Sequence, residues 1–380
     1  FLDGTNHFQD LTSAIAPAIT QMRLRSFNAV GNCNFEVDQR NVGTAVTNPA
    51  AGTLALDRYK VGKSVSTMAC NFQQTAGGSA LVVPGTNYLI TSKVLSINLT
   101  AQQTTLAAGD FYTVFQTVEG INLRELVNDV HSLSIYAYCT QPLRFGIAIR
   151  DLNPSTTKTL TKLVNIPNAS TWTLIQLPNL PVFPSGGNWN ITPGIEGYDI
   201  RIVLACGTTN MSPANDTWQN GSFLGAVGQD NFAANPAGTI LYLGFIQHEP
   251  GPNCTTLMDL PFDNNLWACK RYFQKSGPYA NVVPTGADAV CLGRIAAPNS
   301  ATVRCNYMFE REMAKAPTMS NWDAGTTANN VFVDGLGSVA ISGGGGAIGR
   351  TTKGLTYFNL ASSQTNTNSV AGQIIADTGW

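Results

Sequence analysis

Charge is scarce in this sequence. Charged residues make up 12 % of the 380 residues, about half of the roughly 25 % usual for soluble domains. The polar surface must come from Asn, Thr, Gln, Ser and Gly, which argues against long surface helices laced with Glu–Lys pairs. The 22 Lys+Arg nearly balance the 23 Asp+Glu, and a net charge of −1 gives no field to hold a phosphate backbone, so no nucleic-acid partner is expected. Long apolar runs are missing as well. Stretches such as Ile202 to Gln229 are broken by Gly, Pro, Asn and Thr, so no membrane-inserted helix is expected. No basic segment followed by an apolar run stands at the N-terminus, and no secretion signal is expected there.

Chemistry-bearing patterns are equally sparse. The eight cysteines contain no CxxC pair, which excludes the usual structural zinc spacing. Several stand in apolar runs (Tyr136 to Cys139, Val203 to Cys206) and read as buried free thiols. The three histidines, His7, His131 and His248, belong to no metal or nucleophile motif. Glu119, Asp129, Glu196, Asp199 and Asp259 are glycosidase carboxylates by residue type only. Asp216 and Asp230 sit in loops without calcium-ligand spacing, and the Gly343 to Gly346 run lacks the Lys-Ser/Thr of a phosphate loop. No catalytic residue, metal or cofactor is assigned. Sequons at Asn98, Asn168, Asn190, Asn210, Asn215, Asn220 and Asn253 read as a product of composition.

What the sequence does hold is β pattern. Alternating or β-branched runs recur between Pro, Gly and Asn clusters: Tyr88 to Leu95, Phe111 to Val118, His131 to Thr140, Arg144 to Arg150, Thr171 to Leu177, Tyr198 to Cys206 and Thr239 to Gln247. Short strands at such spacing predict an all-β sandwich. Helical spacing is limited to Ser13 to Arg25, interrupted by Pro17, and to Asn264 to Gln274. In the second, Asp263 or Asn264 caps the first turn, and Leu266, Cys269 and Phe273 share a face. Three segments follow: an arm at 1–25, a strand-rich block at 26–280, and a loop-rich β extension at 281–380 with strand-like pieces at Val331 to Val333 and Leu355 to Leu360.

Within 26–280 a series of short motifs resembles a domain of tailed-bacteriophage virion structural proteins. Gly31-Asn32-Cys33-Asn34-Phe35 leads into Gln39-Arg40-Asn41-Val42-Gly43, and Leu56-Asp57-Arg58-Tyr59-Lys60-Val61 follows. Gln116-Thr117-Val118-Glu119-Gly120 comes next, then Gly244-Phe245-Ile246-Gln247-His248-Glu249-Pro250-Gly251, and Leu266 to Lys275 with Cys269, Arg271, Tyr272 and Phe273 closes the series. Cys33 and His248 depart from the pattern. The resemblance implies a jelly-roll sandwich similar to carbohydrate-binding modules, used in tail fibres, receptor-binding proteins and capsid decoration. It implies a non-enzymatic particle-surface protein that assembles with itself, as a trimer, and with other virion proteins. A capsid shell protein and a glycan-degrading depolymerase are the alternatives.

The motif residues read as structural. Asp57 and Arg58 fix a corner through an ion pair or backbone contacts, Glu119 and Glu249 accept turn amides at strand ends, and Arg271 lies over Trp267. If the sandwich binds a host glycan, aromatic side chains should stack on sugar faces while amides hold hydroxyls. The loop residues Trp189, Tyr198, Trp218 and Asn220 have that composition. Trp172, in an alternating strand, reads as core.

Overall fold

A computed structural model describes residues 27–64, 67–77, 93–152, 157–258, 260–281, 290–295, 300–322, 330–333, 337–340, 351–364 and 369–380. The arm at 1–25, with its expected helix, and the glycine run at Gly343 to Gly346 lie outside the described residues. So do residues 88–92 of the expected strand Tyr88 to Leu95.

In chain order the first strands are β1 (Val46–Thr47), β2 (Leu54–Leu56), β3 (Tyr59–Lys63), β4 (Ala69–Ala76), β5 (Lys93–Ala101) and β6 (Phe111–Glu119). A single helical turn, α1 (Gly120–Leu123), follows. Then come β7 (His131–Cys139), β8 (Leu143–Arg150), β9 (Lys158–Ile166), β10 (Thr173–Leu180), β11 (Glu196–Cys206), β12 (Trp218–Asn220) and β13 (Ile240–Pro250). These make two antiparallel sheets, ordered β1-β4-β5-β13-β7-β10 and β12-β9-β8-β11-β6-β3-β2. Late strands insert between early ones, β13 between β5 and β7 and β11 between β6 and β8. That wrapping makes the fold an all-β jelly-roll sandwich.

Period-two patterning builds the core. Leu133, Ile135, Ala137 and Cys139 of β7 are fully buried in one cluster with Phe72, Leu95, Ile97 and Leu243 of their own sheet. The same cluster takes in Tyr59, Val61, Val114, Phe145, Ile147, Tyr198 and Ile202 of the opposing sheet. Each such aliphatic side chain contributes about 1.5–3 kcal/mol relative to exposure.

A third antiparallel assembly follows helix α2 (Phe262–Cys269). Its strands are β14 (Phe273–Lys275), β15 (Val290–Ile295), β16 (Ser300–Met308), β17 (Thr318–Trp322), β18 (Asn330–Val333), β19 (Gly337–Ala340), β20 (Gly354–Gln364) and β21 (Ser369–Asp377). The order is β19-β18-β21-β15-β16-β20, and β14 and β17 also pair with β21. Val303, Phe309, Met313, Met319, Leu355, Leu360, Val370 and Ile374 form a separate core.

Local expectations differ from the structure in three places. The strands at Tyr59–Lys63, Ala69–Ala76 and Lys158–Ile166 carry too many Gln, Asn, Thr and Lys on their outward positions to stand out by hydropathy. β10 continues through Pro178 to Leu180, which an edge strand with a register shift between Leu177 and Leu180 tolerates. The helix expected at Asn264 to Gln274 instead begins after Pro261, without a side-chain cap, and ends at Cys269. Arg271 and Tyr272 leave it to reach Glu119, and Phe273 pairs with Asp377 in β14.

Candidate functional site

The motif residues, far apart in sequence, converge on one corner. The carboxylate of Asp57 accepts from Gln39 Nε2 at 2.9 Å and stands 3.2 Å from Arg40 Nε. Arg40 also donates through Nη2 to Asp377 of β21 at 2.9 Å, so Asp57 pairs with Arg40 rather than with its neighbour Arg58. Burial raises the Asp57 carboxyl to about 6, although Arg40 opposes the shift. Arg58 makes the backbone contact, Nη2 to the Thr117 carbonyl at 2.6 Å, and its guanidinium lies 3.6 Å over the Tyr272 ring. Its own φ is +77°, a left-handed conformation that costs a non-glycine residue about 1 kcal/mol or more.

Glu119, fully buried, is the second node. Its oxygens accept from Arg271 Nε at 2.8 Å and Nη2 at 2.5 Å, from Tyr272 Oη at 2.7 Å and from the Gly194 amide at 2.6 Å. Burial opposes its ionisation, but these donors outweigh it and hold the carboxyl below the ordinary range. Gly120 follows because a Cβ there would stand 2.4 Å from the Asn190 carbonyl. Arg271 therefore does not cover Trp267; Arg311 does, its guanidinium carbon 5.8 Å from the ring centroid. Glu249 accepts from the Thr255 amide at 2.8 Å and from Gln247 Nε2 at 2.9 Å. Cys269 is buried beside Asn265, which donates to Asn34. Together these contacts join sandwich, helix α2 and third sheet.

The aromatic residues read from the sequence as glycan contacts are placed differently. Tyr198 is fully buried between the sheets, its Oη 2.6 Å from His248 Nδ1, so no sugar can stack on it. Trp189 and Trp218 are half-buried around Phe183, with ring centroids 4.8 and 5.4 Å from it. Their indole N–H groups donate to the Pro184 carbonyl at 2.8 Å and the Pro181 carbonyl at 3.1 Å. The inward pull of this cluster is why flanking Gly and Asn misled: the rings close the rim of the core. Asn220, exposed, accepts from Lys158.

Trp172, read from the sequence as core, is half-buried and packs against the main core cluster. It stands just before β10, half-buried on the outer face of the first sheet. Its ring stacks on Tyr136 at 4.9 Å and lies 5.5 Å from Tyr138 and 6.4 Å from Tyr242. The register explains the grouping: Gln73, Ser96, Tyr242 and Tyr138 form one row across β4, β5, β13 and β7. Side chains in a row share a face, and the inward faces of these strands belong to Leu95, Leu241, Leu243, Ile135 and Ala137. Beside Trp172, Tyr138 and Tyr242 opens a hollow of about 240 Å³, closed on its other side by Ala76, Gly77 and Val94. On the same outward positions, the buried Thr75 Oγ1 and Asn98 Oδ1 have no hydrogen-bond partner. An aromatic floor of Trp172, Tyr138 and Tyr242 suits a ligand with flat apolar faces. The signal was present in the alternation of β7, which places Tyr138 opposite the inward Ala137 and Cys139, while Tyr136 is buried in the core cluster.

Among the described residues no group of three or more His, Cys, Asp and Glu is placed to hold a metal. Asp230 pairs with Arg144 and Asp216 with Lys162. Asp199 is held by Thr117 and Arg201, and Asp259 lies outside the described residues.

No protein-family model matches the sequence, and no curated protein does. Among solved structures the chain is similar to a family 61 carbohydrate-binding module in complex with β-1,4-galactotriose, at 10 % identity and TM-score 0.29, covering 59 % of this chain and 99 % of that one. It is also similar to a family 11 carbohydrate-binding module from Clostridium thermocellum in complex with a β-1,3-1,4-mixed-linked tetrasaccharide (10 %, TM-score 0.27, 56 % and 98 %). A third is the enzymatically active domain of tailspike protein 4 of bacteriophage CBA120 (12 %, TM-score 0.30, 58 % and 21 %).

Proposed function

We propose that this chain is a glycan-binding jelly-roll subunit of a bacteriophage particle surface, in a tail fibre, receptor-binding protein or capsid decoration. The observation that carries the glycan reading is the half-buried cluster of Trp172, Tyr138 and Tyr242 lining the hollow on the outer face. Apolar C–H faces of sugar rings stack on the exposed parts of the indole and phenol rings. Among the described residues lining the hollow there is no carboxylate, which favours binding over turnover. The particle setting rests on the ordered motifs from Gly31 to Lys275, and the low charge suits large subunit contacts in a homotrimer and with other virion proteins.

The test is affinity electrophoresis and glycan-array binding of the purified chain, with Trp172→Ala beside it. Retarded migration in a neutral polysaccharide gel, reduced at least tenfold by the substitution, is the expected result. Equal binding by both proteins removes the platform from the reading, and chain cleavage of the polysaccharide replaces binding by catalysis. Copy number in purified particles separates a fibre from a decoration protein.

A further inference from the structure

The corner where the motifs converge encloses a second cavity, of about 380 Å³, lined by Gly31, Arg58, Glu119, Asn122, Arg271 and Arg311, with Ile121 and Ala268 among its apolar walls. It shares no residue with the Trp172 hollow. Three guanidinium groups face it against one carboxylate, and that carboxylate is saturated: Glu119 is already held by Arg271, Tyr272 and the Gly194 amide. Asp57, next to Arg58 in sequence, belongs to Arg40. Glu310, next to Arg311, belongs to Lys270. Arg311 donates Nη1 to the Trp267 carbonyl, a neutral partner.

Arg58 is the group that lacks an answer. It is 3 % exposed, its Nη2 is bound to Thr117, its face rests on Tyr272, and its Nε and Nη1 have no acceptor. Buried guanidinium donors without partners are costly. This one is held in a left-handed backbone conformation as well, the kind of strain that accumulates at binding sites. An anion entering the cavity would supply the missing acceptors and offset the excess positive charge. The cavity falls within the roughly 300–1,000 Å³ of small-molecule sites, and its mixed lining, with Asn122 as an amide and Ile121 and Ala268 as apolar walls, fits a ring-sized organic anion better than a bare ion.

We propose that this cavity binds the carboxylate of an acidic sugar residue, a hexuronate by size, with Arg58 and Arg311 as the recognising groups. It would give the protein a charge-reading subsite separate from the aromatic platform. The choice of a sugar acid rests on the glycan reading above; the anion site itself does not.

Isothermal titration calorimetry of the full chain tests it with glucuronate, galacturonate, galactose and inorganic phosphate. Saturable binding of a uronate, at least tenfold tighter than galactose and phosphate, is expected. Arg311→Gln should weaken it tenfold or more, and the added stabilisation of the fold by uronate in thermal denaturation should shrink in parallel. Trp172→Ala should leave uronate binding unchanged, and uronate binding by a wild-type chain that shows no neutral-polysaccharide binding would sink only the platform. Equal affinity for phosphate, equal affinity for galactose, or full uronate binding by a folded Arg311→Gln protein would overturn the proposal. Arg58→Lys serves as the second variant, because it keeps the charge and removes the fork; undiminished uronate binding by it overturns the role of Arg58.

Discussion

His248 Nε2 lies 2.8 Å from His131 Nδ1, with both rings fully buried between the sheets. The bonds at either end fix every proton in the chain. The Pro181 carbonyl, 3.1 Å from His131 Nε2, can only accept, so His131 donates there and its Nδ1 accepts from His248. His248 Nδ1 in turn accepts from Tyr198 Oη at 2.6 Å. Each ring carries one proton; a second on His131 would set two N–H donors face to face, and a second on His248 would turn the Tyr198 hydroxyl from donor to acceptor. This is the interior use of the histidine that departs from the motif pattern.

Stability should therefore fall on mild acidification. Burial lowers His131 to about 4, and burial followed by the proximity of His131 takes His248 well below its ordinary value. A lowered folded value means that the unfolded chain binds protons first. The stabilisation is complete above about pH 6.5 and is lost as pH falls towards the folded values, by up to about 1.4 kcal/mol per pH unit per histidine. Asp57, raised to about 6, acts in the opposite sense between its unfolded value and pH 6. Urea denaturation of wild type and His131→Gln at pH 7 and pH 5 cancels that contribution. The wild type should lose more stability than the variant, and equal losses would show that the relay is not the cause.

The tryptophans should separate stability from binding. Trp189→Ala opens the rim around Phe183 and frees the Pro184 carbonyl, at a cost of about 2–3 kcal/mol. Trp172→Ala removes a half-buried ring from the outer face and should cost about 1 kcal/mol or less. Thermal denaturation of both, set beside their polysaccharide binding, checks the assignment: a large loss of stability for Trp172 would make it core after all.

Glu119→Gln should be severe. It leaves Arg271 without its bidentate partner beside Arg311, and breaking a buried pair from one side costs about 3–5 kcal/mol. A drop in the unfolding midpoint much larger than that of the exposed-pair variant Asp230→Asn (Arg144 partner) is the expected readout.

Thiol chemistry should find the described cysteines reduced. Cys33, Cys70, Cys139, Cys206 and Cys269 are buried thiols outside any disulfide, and Cys254 is a half-buried one. Burial pushes Cys70 up to about 12 and Cys206 to about 11, so neither forms thiolate near neutrality. Maleimide labelling read by mass spectrometry should modify Cys254 first and the other five only in denaturant. A disulfide-linked peptide among these six would contradict the structure.

The sequence by itself determined the all-β class and many of the sandwich strands, and it marked Asp57, Arg58, Glu119 and Glu249 as residues of one motif series. Those rest on local alternation and on side chains whose type restricts them to a few buried roles. It also marked aromatic residues as the place to look for a ligand, naming Trp189, Tyr198 and Trp218 and reading Trp172 as core. Period two says that Tyr136 and Tyr138 oppose Ile135 and Ala137, but not which face a second sheet will cover. Only the packing of β7 and β13 against the opposing sheet turned Tyr198 inward and left Trp172, Tyr138 and Tyr242 at the surface. The same holds for Arg58, whose missing acceptors emerged once Arg40 had taken Asp57 and Arg271 had taken Glu119, because partners as far apart as Glu119 and Arg271 are assigned in space rather than along the chain.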